Sequence, residues 1–175
     1  MIDFARNHFE LFDLPSRYRI DDAALEARYG ELQRDVHPDR SAGGDATRQR
    51  LALQASARVN EAYRTLKDPV ERGRYLLELA GIDALVETDT VLALPFLEAQ
   101  LERREQAADA RDAQDIDRLD QIIAEIRDES RGRERMLEQR LDARDLQSAR
   151  ADVRELKFLQ KVAADVSAMI ETIDV

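Results

Sequence analysis

Apolar residues recur along most of the chain at spacings of three and four, the interval that places side chains on one face of an α-helix. The first stripe consists of Leu25, Tyr29, Leu32 and Val36. The second stripe consists of Leu51, Ala55, Val59, Ala62 and Leu66. No convincing run alternates with a period of two, as half-buried strands would. The pattern therefore predicts an all-α protein whose first two long helices pack as an antiparallel hairpin.

Sequence signals mark both ends of the first hairpin helix. Asp21 or Asp22 is the expected N-cap, because a carboxylate accepts hydrogen bonds from the first free N–H groups of a helix. Pro38 ends the helix, since a proline has no N–H to donate and steers the preceding residue out of α geometry. The helix is therefore predicted to end just before Pro38.

Two short helices are expected to flank the hairpin. One is suggested over residues 9–12. The other begins at Pro69, with Asp68 as its N-cap, and runs to about Ala80. Gly81 then closes it, because glycine adopts the left-handed conformation that often follows a helix.

Three longer stretches with the same spacing fill the second half. The first, from about Thr90 to Ala110, has Val91, Leu94, Leu97, Leu101 and Ala108 on one face. The second has Ile116, Leu119, Ile123, Ile126, Ser130, Leu137 and Leu141. The third has Val153, Leu156, Leu159, Ala163, Val166, Ile170 and Ile173. Three amphipathic helices with short polar connections predict a three-helix bundle.

Proline, glycine and charge separate the two halves. All four prolines and five of the six glycines precede residue 96. Residues 1–80 carry 13 Lys and Arg against 14 Asp and Glu, whereas residues 81–175 carry 14 against 23. The acidic excess therefore lies in the second half. We expect a first domain at residues 1–80, a linker at 81–89 and a second domain at 90–175.

Composition excludes several classes of function. The chain has no cysteine and two histidines, which excludes disulfides, thiolate metal sites and cysteine nucleophiles. A net charge of −10 opposes binding to nucleic acid phosphates. No apolar stretch approaches the ~20 residues that span a bilayer, and the amino terminus lacks a targeting pattern. We expect a cytoplasmic protein that binds no nucleic acid, membrane, metal or other cofactor.

The tripeptide His37-Pro38-Asp39 follows the first hairpin helix, and Arg40 follows it. Taken alone, it is compatible with a simple turn. It is also compatible with a general base, in which Asp39 would orient His37. The second alternative lacks a positioned nucleophile and a phosphate-binding glycine loop, so we do not expect an enzyme.

The context of this tripeptide resembles a J-domain, the module by which co-chaperones activate DnaK-type ATPase chaperones. Residues 60–69 are Asn-Glu-Ala-Tyr-Arg-Thr-Leu-Lys-Asp-Pro, and Tyr75 follows. The resemblance spans about residues 7–80 and implies an antiparallel helix pair with two short flanking helices. It implies a chaperone-binding set that consists of His37, Pro38, Asp39, Arg28, Arg34 and Arg40.

Nearly the whole chain resembles the HscB family, the J-type co-chaperones of iron–sulfur cluster biogenesis. The resemblance rests on residues 7–15, on Tyr-Leu-Leu-Glu-Leu at 75–79 and on Phe-Leu-Glu-Ala-Gln-Leu-Glu at 96–102 within the acidic helical region. It implies a co-chaperone that stimulates an HscA-type ATPase and delivers to it the IscU-type cluster scaffold. Without cysteine, the chain is similar to the shorter bacterial members, which lack an amino-terminal metal-binding module.

This resemblance also implies a scaffold-binding set in the bundle. The set consists of Leu97, Glu98, Leu101, Glu102, Glu105 and Phe158. Glu98 departs from the family pattern, because an apolar residue can occupy this place. One alternative is that the two leucines and the phenylalanine are ordinary core residues. Another keeps the J-domain but gives the bundle a different client.

Overall fold

The structure, a computed structural model, describes residues 3–36, 46–85 and 92–173. Within these ranges it contains seven helices and no strand, so the all-α prediction is confirmed. The helices are α1 (His8–Leu11), α2 (Asp22–Val36), α3 (Ala46–Lys67), α4 (Pro69–Leu79), α5 (Leu94–Asp112), α6 (Ile116–Asp142) and α7 (Leu146–Ile173). Among these helices, none combines the length and apolar content that a bilayer span requires. The chain divides into two compact units, Met1–Leu76 and Leu77–Val175.

Local capping explains where the helices of the first unit begin. Asp21 caps α2, because its Oδ1 accepts hydrogen bonds from the N–H groups of Ala23 and Ala24 at 2.9 and 3.1 Å. Asp68 caps α4 in the same way, accepting from the residues that follow Pro69 at 2.8 and 3.0 Å. Both caps were among the sequence predictions, and both are confirmed.

The short helix α1 is held by a reciprocal cap and by an aromatic contact. The Asn7 side chain accepts from the Glu10 N–H, and the Glu10 carboxylate accepts from the Asn7 N–H. The His8 ring stacks on the Tyr75 ring with centroids 4.1 Å apart, and the His8 N–H donates to the Tyr75 hydroxyl at 3.1 Å. A four-residue helix is too short to be stable alone, so these contacts fix its place.

The first unit is built around the hairpin of α2 and α3. The two helices are antiparallel. Tyr29 of α2 hydrogen-bonds Asn60 of α3, whereas Glu26, which precedes Tyr29 on α2, hydrogen-bonds Lys67, which follows Asn60 on α3. The buried core contains most residues of both predicted stripes, together with Phe9 and Phe12. Its buried members are Phe9, Leu11, Phe12, Leu25, Leu32, Val36, Ala55, Val59, Ala62, Leu66 and Tyr75.

One member of the second stripe was assigned wrongly. Leu51 is 47% exposed, although its spacing places it in line with Ala55 and Val59. It lies near the start of α3, which has 22 residues against 15 in α2. At ~1.5 Å per residue, the shorter helix cannot cover both ends of the longer one.

The second unit contains the predicted bundle of α5, α6 and α7. Two four-residue sequences of the same type, Asp-Ala-Gln-Asp at 112–115 and Asp-Ala-Arg-Asp at 142–145, connect its helices. In each, the third residue has a positive φ, 55° at Gln114 and 58° at Arg144. The final aspartate then accepts a hydrogen bond from an N–H in the next helix. The repeated connection reverses the chain twice with the same geometry.

The predicted inner face of α5 was wrong. The buried residues of this helix are Phe96, Gln100, Ala107 and Ala110, whereas Leu94 and Leu101 are 67% and 60% exposed. Val91 lies outside the described residues. Leucine, isoleucine and valine from α6 and α7 fill most of the bundle core, so small alanines on α5 allow the helices to approach closely. The leucine stripe consequently lies on the outside.

Candidate functional site

Some of the predicted chaperone-binding residues are among the described residues, and others are not. His37, Pro38, Asp39 and Arg40 lie outside the described residues. The two arginines on α2 are described, and each has a partner in the first unit. Arg34 is exposed, and its Nε donates to the Gly30 carbonyl at 3.2 Å.

Arg28 is held by two carboxylates. Its Nη2 lies 2.9 Å from Oδ2 of Asp13, and its Nη1 lies 2.9 Å from Oε2 of Glu31. Asp13 also accepts a hydrogen bond from Arg6 at 2.8 Å. The Arg6 hydrogen bond lowers the pKa of Asp13 below its usual value. An ion-paired guanidinium is therefore present where the sequence predicted a docking cation.

Polar and aromatic contacts fasten the hairpin near the end of α2. The rings of Tyr29 and Tyr63 stack with centroids 3.8 Å apart. The Tyr29 hydroxyl donates to Oδ1 of Asn60 at 2.9 Å, and Gln33 donates to the same oxygen at 2.8 Å. These contacts lie within two turns of Val36, the last residue of α2. They fix the register of α2 and α3.

A second set of hairpin contacts surrounds Glu26. Its Oε1 accepts from the Lys67 ammonium at 2.7 Å and from the Tyr63 hydroxyl at 2.6 Å. The Lys67 hydrogen bond, followed by that of Tyr63, lowers the pKa of Glu26. This glutamate therefore remains charged at neutral pH and bridges α2 to α3.

The predicted scaffold-binding residues of α5 lie on its outer side. Leu101 is 60% exposed, Leu97 is half-buried, and Glu98, Glu102 and Glu105 are exposed. At about 100° per residue, the two leucines fall between the buried stripe and the three glutamates. The outer face of α5 thus has an apolar stripe with an acidic edge.

Phe158 of α7 lies beside this stripe. It is half-buried, and its ring meets the buried Phe96 ring edge to face at 5.7 Å. The Arg104 guanidinium lies over the Phe158 ring, 5.2 Å from its centroid. Arg104 is also 3.6 Å from Asp165 of α7. The structure therefore brings Phe158 to the edge of α5 opposite the glutamates.

A polar network lies beneath this surface and fixes α5 on its neighbours. Arg103 donates to the buried Gln100 side chain at 2.6 Å and pairs with Glu129 of α6 at 2.9 Å. Arg133 pairs with the same glutamate and with Glu155 of α7. Its guanidinium also stacks on Phe96, 4.7 Å from the ring centroid. Charged groups from three helices thereby hold the phenylalanine against which Phe158 packs.

The sequence prediction misplaced one residue of this outer surface and missed another. Leu94 was assigned to the core, and Arg104 was not assigned to the site. Leu94 is 67% exposed and continues the stripe of Leu97 and Leu101 by one turn. The spacing of three and four does show that Leu94 shares a face with Leu97 and Leu101. It does not show whether that face packs in the core or meets another protein.

Comparison with known proteins identifies the family. Residues 94–167 match the family model described as the HSCB C-terminal oligomerisation domain. The chain is 44% identical over 174 residues to the co-chaperone protein HscB homolog of Burkholderia multivorans, and the match covers 99% of each chain. The chain belongs to the HscB family of co-chaperones, as its sequence motifs predicted.

Solved structures show the same fold over nearly the whole chain. Chaperone HscB from Vibrio cholerae gives a TM-score of 0.85 at 30% identity, covering 96% of this chain and 99% of that one. Human co-chaperone protein HscB gives a TM-score of 0.88 at 28% identity, covering 95% of this chain and 83% of that one. The predicted order, a J-domain followed by a helical carboxyl-terminal domain, is confirmed.

Proposed function

We propose that this chain is a cytoplasmic J-type co-chaperone of iron–sulfur cluster biogenesis. In this proposal residues 1–80 stimulate the ATPase of an HscA-type chaperone, and residues 90–175 bind the IscU-type scaffold and deliver it. Residues 81–89 link the two parts. The protein turns over no substrate itself, ATP stays on the chaperone, and the cluster stays on the scaffold. Membership of the HscB family over the full length supports the proposal.

The observation that carries the scaffold half is the exposure of the α5 leucines. An apolar side chain that is 60% exposed, as Leu101 is, gains free energy when a partner removes it from water. Leu94, Leu97 and Phe158 extend this surface on both sides of it. A contiguous apolar surface beside charged residues is typical of a protein-binding site.

The charges beside this surface favour a particular kind of scaffold surface. Glu98, Glu102 and Glu105 form one edge, and all three are exposed. A partner with an apolar centre and basic residues on one side would match it, because opposite charges at the rim favour encounter and orientation. Glu98 adds to the acidic edge where the family can have an apolar residue. Basic residues on the scaffold would compensate for the smaller apolar contact.

The chaperone half is carried by the hairpin. Because a proline ring fixes one backbone angle, we expect Pro38 to reduce the conformational entropy that its segment loses on binding. An Asp39 carboxylate can accept two hydrogen bonds from an arginine of the partner. Arg28, Arg34 and Arg40 supply positive charge for contacts with acidic groups of the partner.

The chaperone half is tested by His37→Gln. We expect this variant to abolish stimulation of ATP hydrolysis by the chaperone while binding the scaffold normally. Near-ultraviolet circular dichroism checks that the tyrosine environment of the first unit is unchanged. Normal stimulation by the variant would refute the assignment of His37.

The scaffold half is tested by Leu97→Ala combined with Phe158→Ala. We expect titration calorimetry to show weaker scaffold binding, with stimulation of the chaperone alone preserved. Leu53→Ala is the matched control, because Leu53 is 62% exposed on α3 of the first unit. Equal scaffold affinity for wild type and double variant would assign the bundle to another client.

A further inference from the structure

Acidic side chains outnumber basic ones near Arg28 in the first unit. Asp13 and Glu31 each contact its guanidinium at 2.9 Å. A depression of about 250 Å³ borders the arginine, and Asp3 and Asp35 are among the residues that line it. Arg6 is the other arginine in this lining. Two carboxylates therefore contact Arg28, and two more line the depression that Arg28 and Arg6 border.

An incoming carboxylate must compete with the two that already hold Arg28. The side chain of Arg28 is 31% exposed, and that of Asp13 is 55% exposed. Ion pairs at this exposure are worth ~0–1 kcal/mol, so they can exchange with a partner. Until they do, the negative charges reduce the attraction of this surface for an acidic surface.

Asp13 is held in place independently of Arg28. It follows the end of α1 with φ at 54°, a left-handed conformation that aspartate and asparagine tolerate better than most residues. Its Oδ1 accepts from Arg6 at 2.8 Å, whereas Oδ2 contacts Arg28. The carboxylate is thus fixed by the backbone and by Arg6 while its second oxygen engages Arg28.

We propose that Asp13 masks Arg28, so that an acidic surface of the ATPase partner binds only after exchanging with this intramolecular carboxylate. This inference rests on the proposed function, in which Arg28 contacts the chaperone. Asp13 acts through Arg28 and is a positioning residue with an inhibitory effect. Glu31, at the same distance on the other nitrogen, supplies a second mask.

The test is a titration of the chaperone ATPase with Asp13→Asn at low ionic strength. Asparagine keeps the left-handed conformation and an oxygen that can accept from Arg6, so the fold is expected to persist. Loss of the exposed ion pair between Asp13 and Arg28 should lower the half-saturating concentration of the co-chaperone ~2- to 5-fold. The maximal rate should not change, and the difference should shrink in high salt.

Two further variants distinguish masking from a general change in net charge. Glu61→Gln also removes one negative charge from the first unit, but Glu61 pairs with Arg58 and not with Arg28. We expect its half-saturating concentration to remain near that of wild type. In an Arg28→Gln background, Asp13→Asn should leave the half-saturating concentration unchanged, because the arginine that Asp13 masks is absent.

The outcomes separate this inference from the proposed function. A lower half-saturating concentration for Asp13→Asn that disappears in the Arg28→Gln background supports masking. Stimulation by wild type with an unchanged or higher half-saturating concentration for Asp13→Asn overturns masking and leaves the co-chaperone function intact. Failure of wild type to stimulate the ATPase overturns both.

Discussion

The leucines of α2 and α5 follow the same helical spacing but have opposite fates. On α2, Leu25 and Leu32 are 1% and 5% exposed and pack in the core of the first unit. On α5, Leu94 and Leu101 are 67% and 60% exposed. Periodicity therefore identifies an apolar face correctly in both helices, but it identifies the core in only one.

The difference comes from what the neighbouring helices provide. In the hairpin, α2 and α3 are the principal partners of each other, so each apolar stripe must face the other. In the bundle, α6 and α7 supply most of the large core side chains, and α5 adds Phe96 with small alanines. A second apolar stripe on α5 then remains available to another protein.

The largest expected effect is the contrast between two leucine substitutions. Leu25→Ala should lower the free energy of unfolding of the first unit by about 2–5 kcal/mol, because it leaves a cavity in a packed core. Leu101→Ala should change the stability of the second unit by no more than about 0.5 kcal/mol, as expected for a surface residue.

Urea denaturation can assign each effect to its unit. All four tyrosines, Tyr18, Tyr29, Tyr63 and Tyr75, lie in the first unit, so tyrosine fluorescence reports on that unit alone. Far-ultraviolet circular dichroism reports on both. As a control, Leu119→Ala in the core of the bundle, where Leu119 is 0% exposed, should destabilise strongly. A comparable loss of stability for Leu101→Ala would show that the leucine face of α5 is buried, as its spacing predicted.

The next effect concerns binding. Leu101→Asp should weaken scaffold binding at least ~10-fold, because it removes apolar area and introduces a charge that must be desolvated. Its thermal unfolding should match that of wild type. Leu53→Asp provides the control on the equally exposed leucine of α3, and calorimetry should show unchanged scaffold affinity for it. Equal losses for both variants would contradict a specific role of the α5 stripe.

A smaller effect on stability is expected at the connection that follows α5. Gln114 has a φ of 55° after the end of α5, a conformation that glycine adopts without steric cost. Gln114→Gly should stabilise the bundle by about 1 kcal/mol, roughly the cost of placing a non-glycine residue in this region. Gln121→Gly, in the interior of α6, should destabilise by about the same amount. Denaturation monitored by far-ultraviolet circular dichroism measures both effects, and a loss of stability for Gln114→Gly would contradict the left-handed conformation at this position.

The smallest effect is a pH dependence confined to the hairpin. The pKa of Glu26 lies below its usual value of 4.5, so its contribution to stability is present above that pH and decreases as the pH falls through the folded-state pKa. Glu26→Gln should therefore be slightly less stable than wild type at pH 7, and the difference should vanish in more acidic solution. Tyrosine-monitored denaturation at both pH values checks this. A difference that grows in acid would have the wrong sign.

Much of the fold could be predicted because local signals agree with tertiary packing. Asp21, Asp68 and Gly81 mark helix ends through their own side chain or backbone chemistry. The partner of an exposed stripe is a different matter, since sequence spacing does not specify whether a helix face meets the core or another protein. The ion pair between Arg28 and Asp13 could not be predicted either, because Asp13 reaches Arg28 only through a left-handed turn after α1. Motif resemblance supplied what spacing could not.

The central claim is that one chain couples a chaperone-activating unit to a scaffold-binding bundle. The most direct measurement is steady-state ATP hydrolysis by the HscA-type chaperone with this protein, with and without the IscU-type scaffold, for wild type and Leu101→Asp. We predict that wild type and Leu101→Asp each stimulate the ATPase without scaffold. Adding the scaffold should raise the rate synergistically, and this rise should be smaller for Leu101→Asp. Stimulation by wild type that does not change with scaffold would contradict the coupling, and no stimulation at all would contradict the co-chaperone function.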